Sequence, residues 1–67
     1  MQKYLYNYYK LSAKAAYHLR MDEVLTMAIN NEPDPHARKK VSARRSHHRR
    51  MYRKYHAEAE RVWSKGN

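Results

Sequence analysis

Residues 30–35 read Asn-Asn-Glu-Pro-Asp-Pro and contain both prolines of the chain. Asn and Asp tolerate turn geometry, and each proline disfavours a helical conformation in the residue before it. Asp34 suits the N-cap of a following helix, and Pro35 suits its first turn, where a backbone N–H group is not needed. We therefore predict a connecting turn at 30–35 between two helical parts of one chain.

The part after this turn has the pattern of one long helix over about residues 35–65. No further proline interrupts it, and Gly66 suits its end. Apolar and aromatic residues share one side of this helix with His48 and Arg44, at positions 37, 41, 51, 52, 55, 59, 62 and 63. This stripe is predicted to pack against the N-terminal part of the chain.

The part before the turn shows two helical phases. Tyr4, Tyr8, Leu11, Ala15 and Leu19 fall on one side of a helix. The later apolar residues fall on the opposite side, and Asp22 precedes that second run as a suitable N-cap: Met21, Val24, Leu25 and Ala28. We predict an all-α fold in which two short helices, about 3–20 and 22–30, pack on the long helix. A single bent helix is the alternative.

The composition limits the size and class of the protein. Among 67 residues there are four Leu, three Val, one Ile and no Cys. A chain of this length forms a single small helical domain, 1–67, without disulfides or cysteine-based zinc sites. No apolar run reaches the length of a membrane span or a signal-peptide core. The expectation is therefore a cytoplasmic or nucleoid/nuclear protein that has no membrane partner.

The strongest functional signal is a cationic segment over residues 38–54. It holds nine Lys or Arg and no acid, in a chain of net charge +9. Guanidinium groups bind phosphate in a fork, and like charges three or four residues apart repel in a helix unless an anion neutralises them. All nine except Lys40 and Arg44 are predicted to face away from the apolar stripe. The predicted nucleic-acid-binding residues are Arg38, Lys39, Arg45, His47, Arg49, Arg50, Arg53 and Lys54.

This segment predicts phosphate-dominated binding to DNA or RNA, with little sequence readout. Beyond its cations it offers few selective side chains, chiefly Ser42, Ser46 and His47. Its composition resembles that of arginine-rich RNA-binding helices. We expect a small accessory protein, for example a phage- or virus-type regulator. The alternative is a regulator or inhibitor that docks the same helix on an acidic surface of a larger enzyme or complex.

Tyr6, Tyr9 and Tyr17 form a second candidate surface beside Lys10 and Lys14. Exposed tyrosines stack on unpaired bases, anchor a protein partner or line a homodimer interface. The structural alternative is that these rings only cover a small core.

No constellation of catalytic, metal-binding or cofactor-binding residues is recognised in the sequence. The five histidines lack a His-x3-His pair, and no thiol or glycine-rich phosphate loop is present. We therefore predict a protein that is not an enzyme and that holds no metal or cofactor. His47, His48 and His56 are predicted to gain charge as pH falls and so to strengthen binding.

Overall fold

The computed structural model describes the backbone of residues 3–66 and the side chains of residue 3 and residues 5–65. This part of the chain forms two helices, α1 (Lys3–Asn31) and α2 (Pro35–Gly66). At 1.5 Å per residue the helices are about 43 and 48 Å long. They pack side by side as an antiparallel hairpin that measures 50 × 14 × 11 Å. The predicted position of Tyr4 on the apolar stripe lies outside the described side chains.

The connection between the helices is shorter than predicted, residues 32–34 rather than 30–35. Its central feature is Asp34, whose carboxylate accepts hydrogen bonds from the backbone amides of His36 (3.2 Å) and Ala37 (3.4 Å). These bonds satisfy two of the free N–H groups at the start of α2, while Pro35 occupies the first helical position. The predicted N-cap and the predicted extent of the long helix are confirmed.

The prediction of two short N-terminal helices is wrong, because α1 runs without a break from Lys3 to Asn31. Asp22 is not an N-cap. Its carboxylate instead accepts hydrogen bonds from Arg49 of α2 and from the hydroxyl of Thr26. The all-α class is confirmed, with two long helices in place of three.

The helices meet along a seam of buried and half-buried residues whose spacing alternates between three and four. In α1 the seam positions are 8, 11, 15, 18, 22, 25 and 29, and in α2 they are 41, 45, 48, 52, 55, 59 and 62. This average of 3.5 residues is the repeat of a left-handed coiled coil. A straight-helix projection drifts by about 20° per heptad, and so by about 60° over the three heptads of α1. That drift is too small to explain the apparent phase break near residue 20, which arose because the apolar residues Val24 and Ala28 are exposed and lie off the seam.

The core of the hairpin is small. Ala15 and Ala59 are the buried apolar residues of the described chain, with 4% and 3% of their surface exposed. At the end away from the turn, the rings of Tyr8 and Trp63 lie 5.0 Å apart. Neither helix, over the described residues, is apolar enough along its length to cross a lipid bilayer.

Candidate nucleic-acid interface

The side of α2 that points away from α1 carries a row of exposed cations, here called the cationic face. Its members are Lys39, Lys40, Arg50, Arg53 and Lys54, with Arg44 at its edge, and Ala43, Ser46 and His47 lie between Lys40 and Arg50. The row extends over about 22 Å of helix, at 1.5 Å per residue. Because the seam of α2 faces α1, these side chains project from one side of the hairpin into solvent.

Most of the side chains predicted to bind nucleic acid are exposed on α2. These six residues are Arg38, Lys39, His47, Arg50, Arg53 and Lys54. Arg45 and Arg49 differ from this group, and the structure gives a separate reason for each.

Arg45 lies at the seam, half-buried, and not on the outer side of α2 as predicted. Its Nε atom is buried and has no hydrogen-bond partner among the described residues. Arg44 and Lys40 are exposed instead, which corrects their predicted placement away from the solvent side. The cause is the 3.5-residue repeat, which drifts by about 20° per heptad against a straight-helix projection and so turns Arg45, and not Arg44, toward the seam near the start of α2.

Arg49 is exposed, but Asp22 of α1 already holds its guanidinium. Nε of Arg49 donates to Oδ2 of Asp22 at 2.9 Å, and its second nitrogen donates to Oδ1 at 3.2 Å. The hydrogen bond from Arg49 lowers the pKa of Asp22, and the same bond raises the pKa of Arg49. This bidentate ion pair joins the two helices and neutralises one positive charge at the edge of the cationic face.

A histidine pair crosses the seam one turn from this ion pair. Nδ1 of His18 lies 2.7 Å from Nδ1 of His48, and the His18 ring stacks on Tyr55 with centroids 5.7 Å apart. Burial lowers the pKa of His18, and the neighbouring His48 and His47 lower it further. One Nδ1 atom donates and the other accepts, so the bond requires that at least one ring be neutral.

The histidines predicted to act as conditional cations occupy different environments. His48 is held in the seam by His18, and Nε2 of His56 lies 3.1 Å from a carboxylate oxygen of Glu60. His47 is exposed on α2, and its ring lies 6.2 Å from that of His18 of α1.

The outer face of α1 contrasts with that of α2 because its exposed residues are largely apolar. Tyr6, Tyr9 and Tyr17 are 58%, 65% and 56% exposed. Val24 and Met27 extend this surface, although the sequence pattern had placed Val24 in the apolar run of a second short helix. A heptad reading of α1 would have placed both on its outer side.

Other kinds of site find little support in the described structure. Within residues 3–66, no three His, Asp or Glu side chains are grouped so that they could hold a metal ion. The depressions in this part of the chain are open, such as one lined by Leu11, Val62 and Lys65 at the free end of the hairpin.

Comparison with protein-family models, curated proteins and solved structures finds no match to this chain. Functional inference therefore rests on the hairpin's own residues.

Proposed function

We propose that this protein is a small non-enzymatic nucleic-acid-binding protein that grips phosphates with the cationic face of α2. The single observation that carries the proposal is the row of exposed Lys and Arg with no acid between residues 38 and 54. A solvated helix surface ordinarily mixes both signs of charge, since like charges along a helix repel. A row of one sign over about 22 Å favours a polyanionic ligand.

The dimensions and side chains of this face suit a phosphate backbone. Duplex DNA rises 3.4 Å per base pair, so about 22 Å corresponds to roughly six base pairs. The smaller residues between the cations, such as Ala43 and Ser46, leave the long side chains free to reach phosphates. Arginine and lysine in such a row neutralise phosphates and release counterions, which makes the affinity depend strongly on salt.

Limited base readout follows from the composition of α2. The helix contains no Asn or Gln, the residues that pair with adenine edges. Its arginines are able to bind guanine, but contacts from such a row to phosphates carry no sequence information. Binding directed by shape and charge, to DNA or to structured RNA, is therefore the form of the proposal.

The test is fluorescence anisotropy of a labelled DNA duplex and an RNA hairpin, titrated between about 50 and 300 mM salt. With five to six phosphates neutralised, the log–log slope for duplex DNA is expected near −5. The better-bound probe identifies the preferred nucleic acid.

A matched pair of variants separates the cationic face from net charge. R50Q/R53Q removes two charges from the face, while K3Q/K14Q removes two from α1. The first variant is expected to reduce the slope by about 1.8, and the second by less than about half of that. Equal losses in both variants, or weak binding of both probes at physiological salt, would contradict the proposal. Weak binding would leave an acidic protein surface as the partner of α2.

A further inference from the structure

The outer face of α1 is an exposed, mainly apolar surface on the side of the hairpin away from the seam. Tyr6, Tyr9 and Met27 lie on it, each more than half exposed, and the exposed Tyr17 borders it with its ring 5.9 Å from that of His48 of α2. At its centre lies a shallow depression lined by apolar residues that include Ala13, Ala16 and Met27, together with the charged Arg20 and Glu23. The small side chains of Ala13 and Ala16 leave a groove between larger side chains. Such a groove accommodates a ridge of side chains from another helix.

The hairpin alone buries little apolar surface. Ala15 and Ala59 are the buried apolar side chains of the described residues, and the chain has no cysteine. Domains of this size generally need disulfides, a metal or oligomerisation to supplement a small core. No three metal-ligating side chains are grouped within residues 3–66. Of the three, oligomerisation remains, and an oligomer that covers the outer face of α1 would add buried apolar area.

Charge favours a second copy of this chain as the occupant of that face. The cationic face of α2 repels another copy, but α1 carries only four basic and two acidic residues. Two copies that meet through α1 keep their cationic faces on opposite sides of the assembly. Repulsion between the two +9 chains is then smallest, because the charges lie farthest apart and are screened by salt.

The sequence of this face complements itself when two α1 helices run antiparallel. With a two-fold axis between positions 16 and 17, Tyr6 of one copy faces Met27 of the other, and Tyr9 faces Val24. In the same register Lys10 faces Glu23, and all six of these residues are exposed in the hairpin. A two-fold interface forms each such pair twice, so the two Lys10–Glu23 pairs fix both direction and register.

The available area is sufficient for a specific interface. Three tyrosines that are more than half exposed, with Val24 and Met27, offer roughly 500 Å² per copy. Two copies then bury about 1,000 Å² in total, the lower size of a specific protein interface.

We infer that the outer face of α1 is a homodimer interface, in which two hairpins pack antiparallel through α1 into a four-helix assembly. The cationic faces then lie on the two outer sides of the dimer. The inference rests on α1 alone and is independent of nucleic-acid binding by α2.

Sedimentation of the full chain over a wide concentration range tests this inference. The wild-type protein is expected to be a dimer, and A16E a monomer, because the substitution places two glutamates against each other at the axis. The matched control is A57E, which alters an exposed alanine on the outer side of α2 and is expected to remain a dimer. Circular dichroism establishes that both variants keep the helical content of the hairpin.

A charge exchange tests the register. K10E and E23K are each expected to weaken the dimer by at least about tenfold, since each creates like-charge pairs at two symmetric places. The double variant K10E/E23K is expected to restore dimerisation. A wild-type chain that sediments as a monomer at all concentrations, or an A16E variant that stays dimeric, overturns the inference. A monomer in which Tyr6→Ser and Tyr9→Ser lower the affinity for single-stranded RNA assigns this face to base stacking instead, and also overturns it.

Discussion

The two helices share one seam but present opposite chemistry on their outer sides. The outer face of α1 is apolar and nearly neutral, with Tyr6, Tyr9 and Met27 exposed. The outer face of α2 is cationic, in a helix with eleven basic and two acidic residues. Neither set of side chains packs in the seam, because both point away from it. The difference teaches that the seam determines the fold, whereas the two outer faces carry the proposals for what the protein binds.

The seam itself changes character along its length. Near its free end it contains Ala15 and Ala59, and one turn further it becomes polar, with His18 against His48 and then Asp22 against Arg49. Polar groups in a helix–helix seam reduce stability but penalise shifted registers, in which their partners are lost. We therefore expect this polar layer to fix the alignment of the helices, and with it the separation of the apolar and cationic faces.

The largest expected effect comes from placing a larger side chain in the seam, because both outer faces depend on the packing of the two helices. In Ala59→Leu a buried methyl becomes an isobutyl group where the helices are closest, and a destabilisation of about 1–3 kcal/mol is expected. Ala57→Leu, two residues earlier and exposed, is expected to change stability by no more than about 0.5 kcal/mol. Thermal unfolding followed by circular dichroism measures both variants.

The same pair of variants also tests whether the hairpin is the functional unit. Ala59→Leu is expected to weaken dimerisation and nucleic-acid binding together, because both faces depend on the paired helices. The contrary outcome is that Ala59→Leu loses helical structure while its binding to duplex DNA stays at wild-type strength. Binding by α2 would then not depend on its pairing with α1.

Much of the fold could be predicted from the sequence, and the errors concern which side of each helix meets the other. The turn, the Asp34 cap and the length of α2 follow from local residue chemistry, which acts over a few residues. The course of α1 does not, because exposed apolar residues such as Val24 lie off the seam and give the sequence a second apolar phase. In α2 the 3.5-residue repeat of the packed helices turns Arg45 into the seam and leaves Arg44 and Lys40 exposed.

For the candidate site, the cationic segment could be predicted from the sequence, whereas the ion pair between the two helices could not. The run of cations over 38–54 was visible in the sequence, and seven of the eight named side chains are exposed, with Arg45 as the exception. The contact between Asp22 and Arg49 joins residues 27 positions apart. No local pattern indicates such a contact, because it depends on the register in which the helices pack.

An intermediate effect is expected when the guanidinium of Arg49 is freed from Asp22, so that it can bind phosphate together with the cationic face. Asp22→Asn keeps the size of the side chain but removes the charge that holds the guanidinium of Arg49. The hairpin is expected to become less stable, while the salt slope for duplex DNA becomes steeper by about 0.9 as one more phosphate is neutralised. Salt titration by anisotropy and thermal unfolding of the same sample measure the two changes.

The control for this variant is Glu32→Gln, which removes an acid from the turn and keeps an oxygen that accepts the hydrogen bond from the backbone amide of Asp34. It is expected to leave the salt slope unchanged, because Glu32 has no contact with the cationic face among the described residues. A slope that steepened equally in both variants would show that net charge, and not the release of Arg49, sets the affinity.

The smallest expected effect is a pH dependence of hairpin stability that arises in the polar layer. The pKa of His18 is lowered in the folded chain, first by burial and then by His48 and His47. The unfolded chain therefore binds a proton more readily, so stability is complete above the ordinary histidine pKa of about 6.5 and decreases as pH falls below it.

Thermal unfolding between about pH 7.5 and 5.5 measures this decrease. His18→Gln, which keeps a hydrogen-bonding group opposite His48, is expected to flatten the profile, and His36→Gln at the exposed start of α2 is expected to leave it as in the wild type. The Asp22 carboxyl, whose pKa is also lowered, contributes only at more acidic pH and does not overlap this window. A transition midpoint that rises toward pH 5.5 would mean that protonation of the pair strengthens the seam. The His18–His48 contact would then join the helices best in its charged form, contrary to the direction that burial imposes.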